Sequence, residues 1–199
     1  MRRVNSLLLI VFLLAACDQP AYQAIPDDGL ILAFGDSLTA GVGASPEQSY
    51  PNVMAELSGR RVINAGISGE TSAEGLRRFP SLLEQQQPDL IILLEGGNDI
   101  LRNQAQSATK ANLAAMIRLA RAQQIPVLLL GVPEKSLFSD SADLYQELAG
   151  EFELLFMEDL IADLLRTRRY KSDPVHLNGD GYRAMAEAIF DYLQDQGLF

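Results

Sequence analysis

The sequence predicts an α/β protein, a three-layer α/β/α sandwich with a five-stranded parallel sheet between two helical layers. Three observations carry this prediction. Apolar runs of strand length alternate along the chain with amphipathic stretches of helical length. Two of the runs, Leu90-Ile91-Ile92-Leu93-Leu94 and Val127-Leu128-Leu129-Leu130, are apolar at every position, as suits parallel strands covered on both faces. Small and polar residues cluster just after the apolar runs, at the sheet edge where open α/β folds bind ligands. The 199 residues are enough for one domain with a sizeable core.

In chain order, Arg2 and Arg3 precede an unbroken apolar stretch from Leu7 to Ala16. A membrane span needs about 20 apolar residues, so this shorter run reads as the core of a signal peptide. It ends Leu14-Ala15-Ala16-Cys17, which resembles the bacterial lipobox, and Cys17 is the one cysteine of the chain. Residues 1–16 are expected to be a lipoprotein signal peptide and Cys17 the acylated residue left by cleavage. The competing expectation is a secretory signal that leaves Cys17 unmodified. Residues 17–28, with Pro20 and Pro26 among polar neighbours, read as a lipidated N-terminus and tether. Asp18 resembles an inner-membrane retention signal of enterobacterial lipoproteins. The expected location is the envelope of a Gram-negative bacterium, anchored to a membrane and facing the periplasm.

Residues 29–199 are expected to form the folded domain. Its strands fall at 30–34, 61–65, 89–94, 126–131 and 153–157. In 109–123, Leu113, Met116, Ile117 and Ala120 share one helical face. Residues 71–87 also read as helical, with Pro80 expected to divide them into two pieces. In the last segment Tyr182, Met185, Ala186, Ile189 and Leu193 repeat the helical pattern, and Asn178 is placed to cap it.

Composition narrows the function. Hydrophobic residues at 48% and charged residues at 21% argue against disorder. Taking Arg2 and Arg3 from the 16 basic residues leaves 14 against 26 acidic ones, a balance of −12. Such a surface repels nucleic acid, so no nucleic-acid partner is expected. It also disfavours anionic phospholipids relative to neutral or zwitterionic esters, a difference that salt would shrink. A single cysteine excludes an intrachain disulfide. One histidine leaves little but carboxylates to ligate a metal, and neither metal nor cofactor is expected.

Each of the first three strand ends leads into a polar cluster: Gly35-Asp36-Ser37-Leu38, then Asn64 to Ser72, then Gly96-Gly97-Asn98-Asp99. Asp173-Pro174-Val175-His176 lies near the C-terminus. A serine hydroxyl needs a base to become a nucleophile, and His176 is the only histidine. Asp173 lies three residues before it, and Pro174 favours a tight turn that returns the carboxylate to the imidazole. Taken alone, His176 reads as a loop residue and Asp173 as a turn residue. Together with Ser37 at a strand end they read as nucleophile, base and orienting acid, in one of the chain orders that serine hydrolases use. Backbone N–H groups of Ser37 and Gly69 and the amide of Asn98 suit an oxyanion hole, each donor worth roughly 3–4 kcal/mol. Singly, Gly69 reads equally as turn chemistry and Asn98 as a helix cap. Ser68 is a rival serine at a strand end.

The four motifs, in this order across nearly the whole mature chain, resemble those of the GDSL or SGNH hydrolases, in particular the bacterial secreted arylesterase, thioesterase and lysophospholipase group. The resemblance implies a flavodoxin-like sheet of order 2-1-3-4-5. It implies Ser37 as nucleophile, His176 as base, Asp173 as its orienter, and Ser37, Gly69 and Asn98 as oxyanion hole. The activity implied is hydrolysis of small acyl esters, thioesters or lysophospholipids, and the chain is expected to act as a monomer. Two positions depart from the family pattern: Leu177 stands where proline is common, and Pro174 follows the aspartate. Segment 133–149 is expected beside the acyl pocket. Two other readings stand beside the esterase: a carbohydrate O-acetylesterase of envelope polysaccharide, and a lipid-anchored binding module that holds an anion at the Gly35–Gly41 turn.

Overall fold

The computed structural model describes residues 23–135 and 140–199; the expected signal peptide and Cys17 lie outside the described residues. Five strands, β1 (Leu30–Gly35), β2 (Arg61–Gly66), β3 (Leu90–Leu94), β4 (Val127–Leu130) and β5 (Leu155–Met157), form one sheet in the order β2-β1-β3-β4-β5. Every neighbouring pair is parallel. The order and direction are those implied by the sequence resemblance. β1, β3 and β4 are buried at every position, whereas edge strand β2 is half-exposed.

Among the described residues eight α-helices surround the sheet: α1 (Ser37–Ala40), α2 (Tyr50–Ser58), α3 (Ser72–Gln86), α4 (Gly97–Leu101), α5 (Gln106–Ala122), α6 (Asp143–Phe152), α7 (Leu160–Arg166) and α8 (Gly179–Asp195). α2, α7 and α8 pack together as one layer, and α3, α5 and α6 as the other. The apolar faces foreseen for α5 and α8 are buried as a set. Asn178 caps α8 by accepting a hydrogen bond from Gly181 N at 3.0 Å. Among the described residues no helix is long and apolar enough to cross a membrane.

Two expectations change. Pro80 does not divide α3, which runs unbroken from Ser72 to Gln86. Pro80 is exposed, so the carbonyl deprived of its N–H can turn to water. Phe79 and Leu83, both fully buried, hold the helix to the core on either side. The packed unit also begins earlier than 29. Ile25 is 4% exposed, its N–H donates to Leu198 O at 2.9 Å, and its carbonyl accepts from Arg60 Nη2 at 2.9 Å. Ile25 and Leu198, 173 positions apart in sequence, are thus bonded to one another.

Candidate active site

β1 ends in a close approach. A Cβ on Gly35 would stand 1.9 Å from Leu94 O, so only glycine lets β1 and β3 meet there. Asp36 then leaves the sheet and caps α1, its Oδ1 accepting from Leu38 N at 3.2 Å. This sets Ser37 on the first turn of α1, directly beyond the sheet edge.

His176 brings its Nε2 to 3.0 Å from Ser37 Oγ. Its Nδ1 lies 2.7 Å from Asp173 Oδ2. The other carboxylate oxygen, Oδ1, accepts from Val175 N and His176 N, both at 2.9 Å. Partial burial opposes the Asp173 charge, but the bond to the His176 ring and these two N–H donors outweigh it and hold the carboxyl below its ordinary value. The departures at Pro174 and Leu177 fit this turn. Pro174 lacks an N–H, and the carboxylate takes the next two instead. Leu177 is fully buried and pairs with Lys171 across an antiparallel bridge that closes the loop.

Asn98 sits in α4, which follows β3 after the left-handed Gly96 (φ 107°). Its Nδ2 donates to Glu70 O at 2.9 Å and to Asp36 Oδ2 at 3.2 Å. Gly69 adopts φ 81°, a conformation that strains any residue with a side chain, and Arg102 Nη2 donates to its carbonyl at 2.8 Å. The structure brings Ser37, Gly69, Asn98, Asp173 and His176 to the wall of one cavity of about 880 Å³. Ser68 lines the same cavity but lies exposed, and His176 bonds to Ser37. Ile100, Val132, Ile161 and Leu165 supply apolar wall. Of segment 133–149, Pro133, Glu134 and Lys135 line the cavity, while α6 packs into the core.

Buried acids surround Ser37, and the sequence assigns them no role. Burial raises the Asp36 carboxyl to about 6, against the Leu38 N–H donation and the His176 charge that favour its ionised form. Glu70 is held by Arg78, whose Nε lies 2.7 and 3.0 Å from its two oxygens. Arg78 also donates to Ala65 O at 2.8 Å and stacks on the Phe34 ring at 4.0 Å. Asp99 accepts from Ser72 N, Ser72 Oγ and Thr109 Oγ1 at 2.8, 2.6 and 3.3 Å, tying α4 to α3 and α5. Glu95 is fully buried, and its Oε2 has no hydrogen-bond partner among the described residues. Burial first, then the charges of Asp36, Glu70 and Asp99, push its carboxyl up to about 9. Asp36 and Asp99 were visible as members of their motifs. The Glu70–Arg78 pair left no local signal, because its partners are eight residues apart and meet only through the β2–α3 turn.

The family model described as GDSL-like Lipase/Acylhydrolase family matches residues 33–184. Esterase TesA of Pseudomonas aeruginosa is 42% identical over 107 residues, which cover 51% of this chain and 53% of that protein. The match thus spans about half the length of that relative. Thioesterase 1/protease 1/lysophospholipase L1 of Escherichia coli strain K12 is 30% identical over 199 residues, covering 94% of this chain and 89% of that protein. Among solved structures, the psychrotrophic esterase EstA from Pseudoalteromonas sp., inhibited by monoethylphosphonate, matches with a TM-score of 0.75 and 25% identity, over 84% of this chain and 98% of that one. The parallel sheet in the order β2-β1-β3-β4-β5, the family match across most of its elements and the near full-length relative agree, and the chain belongs to the GDSL-like lipase/acylhydrolase family of ester hydrolases.

Proposed function

We propose that the chain is a serine esterase that cleaves small acyl esters, thioesters or lysophospholipids through an acyl-enzyme on Ser37. The observation that carries this reading is the unbroken line from Ser37 Oγ through His176 to Asp173, opening on a cavity with an apolar wall. His176 Nε2 takes the Ser37 proton as Oγ attacks the acyl carbon. Asp173 holds Nδ1 protonated and stabilises the imidazolium that forms. The carbonyl oxygen, now negative, is met by the N–H groups of Ser37 and Gly69 and by the Asn98 amide. His176 then returns the proton to the leaving alcohol or thiol. Water repeats the sequence on the acyl-enzyme and releases the acid.

Ser37→Ala is expected to abolish hydrolysis of p-nitrophenyl butyrate and labelling by a fluorophosphonate. Labelling that survives the substitution overturns the reading, and mass spectrometry of the labelled peptide separates Ser37 from Ser68.

The same proposal places this domain, preceded by a signal peptide at residues 1–16 and a lipidated tether from Cys17, on the periplasmic side of a Gram-negative membrane, acting as a monomer. The Leu-Ala-Ala-Cys sequence supports the anchor. Cys17→Ala is expected to end palmitate incorporation and release the protein from the membrane fraction. Light scattering on the released protein is expected to give the mass of one chain.

A further inference from the structure

The charge around the cavity differs from that of the chain. The whole sequence carries −10, yet four of its 16 basic residues, Arg166, Arg168, Arg169 and Lys171, fall within six positions just before Asp173. Arg166, Arg168 and Lys171 line the cavity, joined by Lys135 from the segment after β4. Their availability differs. Arg166 is held by Asp140 and Asp163. Lys135 Nζ donates to Leu101 O at 3.1 Å and lies 3.4 Å from Asn103 Oδ1. Arg169 turns to Tyr170, stacking at 4.5 Å. Arg168 and Lys171 have no carboxylate partner among the described residues. The acids of the cavity wall are Asp36, Glu134 and Asp173. Asp36 is buried and bonded to Leu38 N and Asn98, Asp173 is bonded to His176, and Glu134 accepts from Gln106.

The position of the two cations follows from the chemistry. His176 must hand its proton to the leaving atom, so the leaving group passes the segment that carries His176. Lys171 belongs to that segment, because it pairs with Leu177 and Ser172 N donates to His176 O at 3.1 Å. Arg168 lies three residues before it. Apolar Leu101 and Val175, 40% and 37% exposed, complete an amphiphilic rim.

We propose that Arg168 and Lys171 are specificity-determining residues that favour acyl esters whose leaving group carries net negative charge, as a phosphate does. This rests on the ester-hydrolase reading and deepens it. It also opposes the expectation from net charge, because a cleft responds to the charges lining it rather than to the sum over a distant surface.

The test compares kcat/KM within two pairs of decanoyl substrates below their aggregation concentrations. One pair is lysophosphatidylglycerol against lysophosphatidylcholine; the other is decanoyl-CoA against decanoyl-N-acetylcysteamine. The wild type is expected to prefer the anionic member at low salt, and salt is expected to reduce the preference. Arg168→Gln with Lys171→Gln is expected to lower the anionic-to-neutral ratio about tenfold. Arg168→Lys with Lys171→Arg is expected to keep it. A fall in the first pair assigns the phosphate to a lipid headgroup, and a fall in the second to a nucleotide-linked thiol. Ratios unmoved in both pairs, including by an equal loss on both members, overturn the inference. A wild type that hydrolyses neither these substrates nor p-nitrophenyl butyrate overturns the esterase reading itself.

Discussion

Asn98 holds out its amide from the base of α4 to Asp36, the residue before the proposed nucleophile, with Nδ2 and Oδ2 3.2 Å apart. The proposed donor for the oxyanion and the cap of the serine helix are thereby joined. Glu70 O, at 2.9 Å, fixes the same nitrogen from the β2–α3 turn. Asn98→Ala is expected to lower kcat on p-nitrophenyl butyrate by about 10²–10³ and to change KM little, as for a donor used only in the transition state. An unchanged kcat removes Asn98 from the oxyanion hole.

Asp173 differs from a buried triad acid, since its side chain is 44% exposed. A buried aspartate changed to asparagine costs about 10⁴ in kcat, because the histidine is left in the wrong tautomer. Water at Asp173 can stabilise part of the imidazolium charge. Asp173→Asn is therefore expected to lower kcat by only roughly 10²–10³. Steady-state rates at pH 8 decide it, and a loss below about fivefold would leave Asp173 without an orienting role.

Glu95 ties stability to pH with an unusual sign. Its carboxyl titrates near 4.5 when exposed and about 9 in the fold. Below 4.5 both states hold the proton and nothing is lost. Between the two values the unfolded chain releases a proton that the fold retains, so stability falls by about 1.4 kcal/mol per pH unit. Asp36, raised from 3.8 to about 6, acts in the same direction over its own window. Glu95→Gln removes the first of these. The melting temperature of the variant is expected to match the wild type near pH 5 and exceed it increasingly towards pH 9. A difference independent of pH would contradict the protonated state.

Arg78 is the cation that balances Glu70, whose side chain is 5% exposed. Arg78→Met leaves that carboxylate buried within reach of the Asp36 charge, and is expected to destabilise by about 3–5 kcal/mol in urea unfolding. Glu70→Gln added to Arg78→Met is expected to recover over half of the loss. Failure of that rescue would place the role of Arg78 in its stacking on Phe34 and its bond to Ala65 O.

The core strands were legible because β1, β3 and β4 are buried on both faces and carry apolar residues at every position. The faces of α5 and α8 were legible from their period. Pro80 misled, because propensity speaks for the backbone alone and cannot see Phe79 and Leu83 holding both halves of α3. Ile25 looked like tether because its partner, Leu198, lies at the opposite end of the chain. Within the site, the motifs gave Ser37, Asp173 and His176, which the fold brings together. Their electrostatic setting was not legible: the burial of Glu95 and the meeting of Glu70 with Arg78 depend on how strands and turns stack, and neighbours in sequence carry no trace of it.

The proposed base and its acid ride on one four-residue turn, while the serine rides on α1, just beyond the sheet edge and 139 residues away. Peeling the C-terminal segment from the sheet would preserve the pair and still extinguish the reaction. Turnover therefore reports whether the segment carrying His176 is docked on the one carrying Ser37. In a denaturant series it should vanish at the first opening of that seam, while the circular dichroism of the sheet persists.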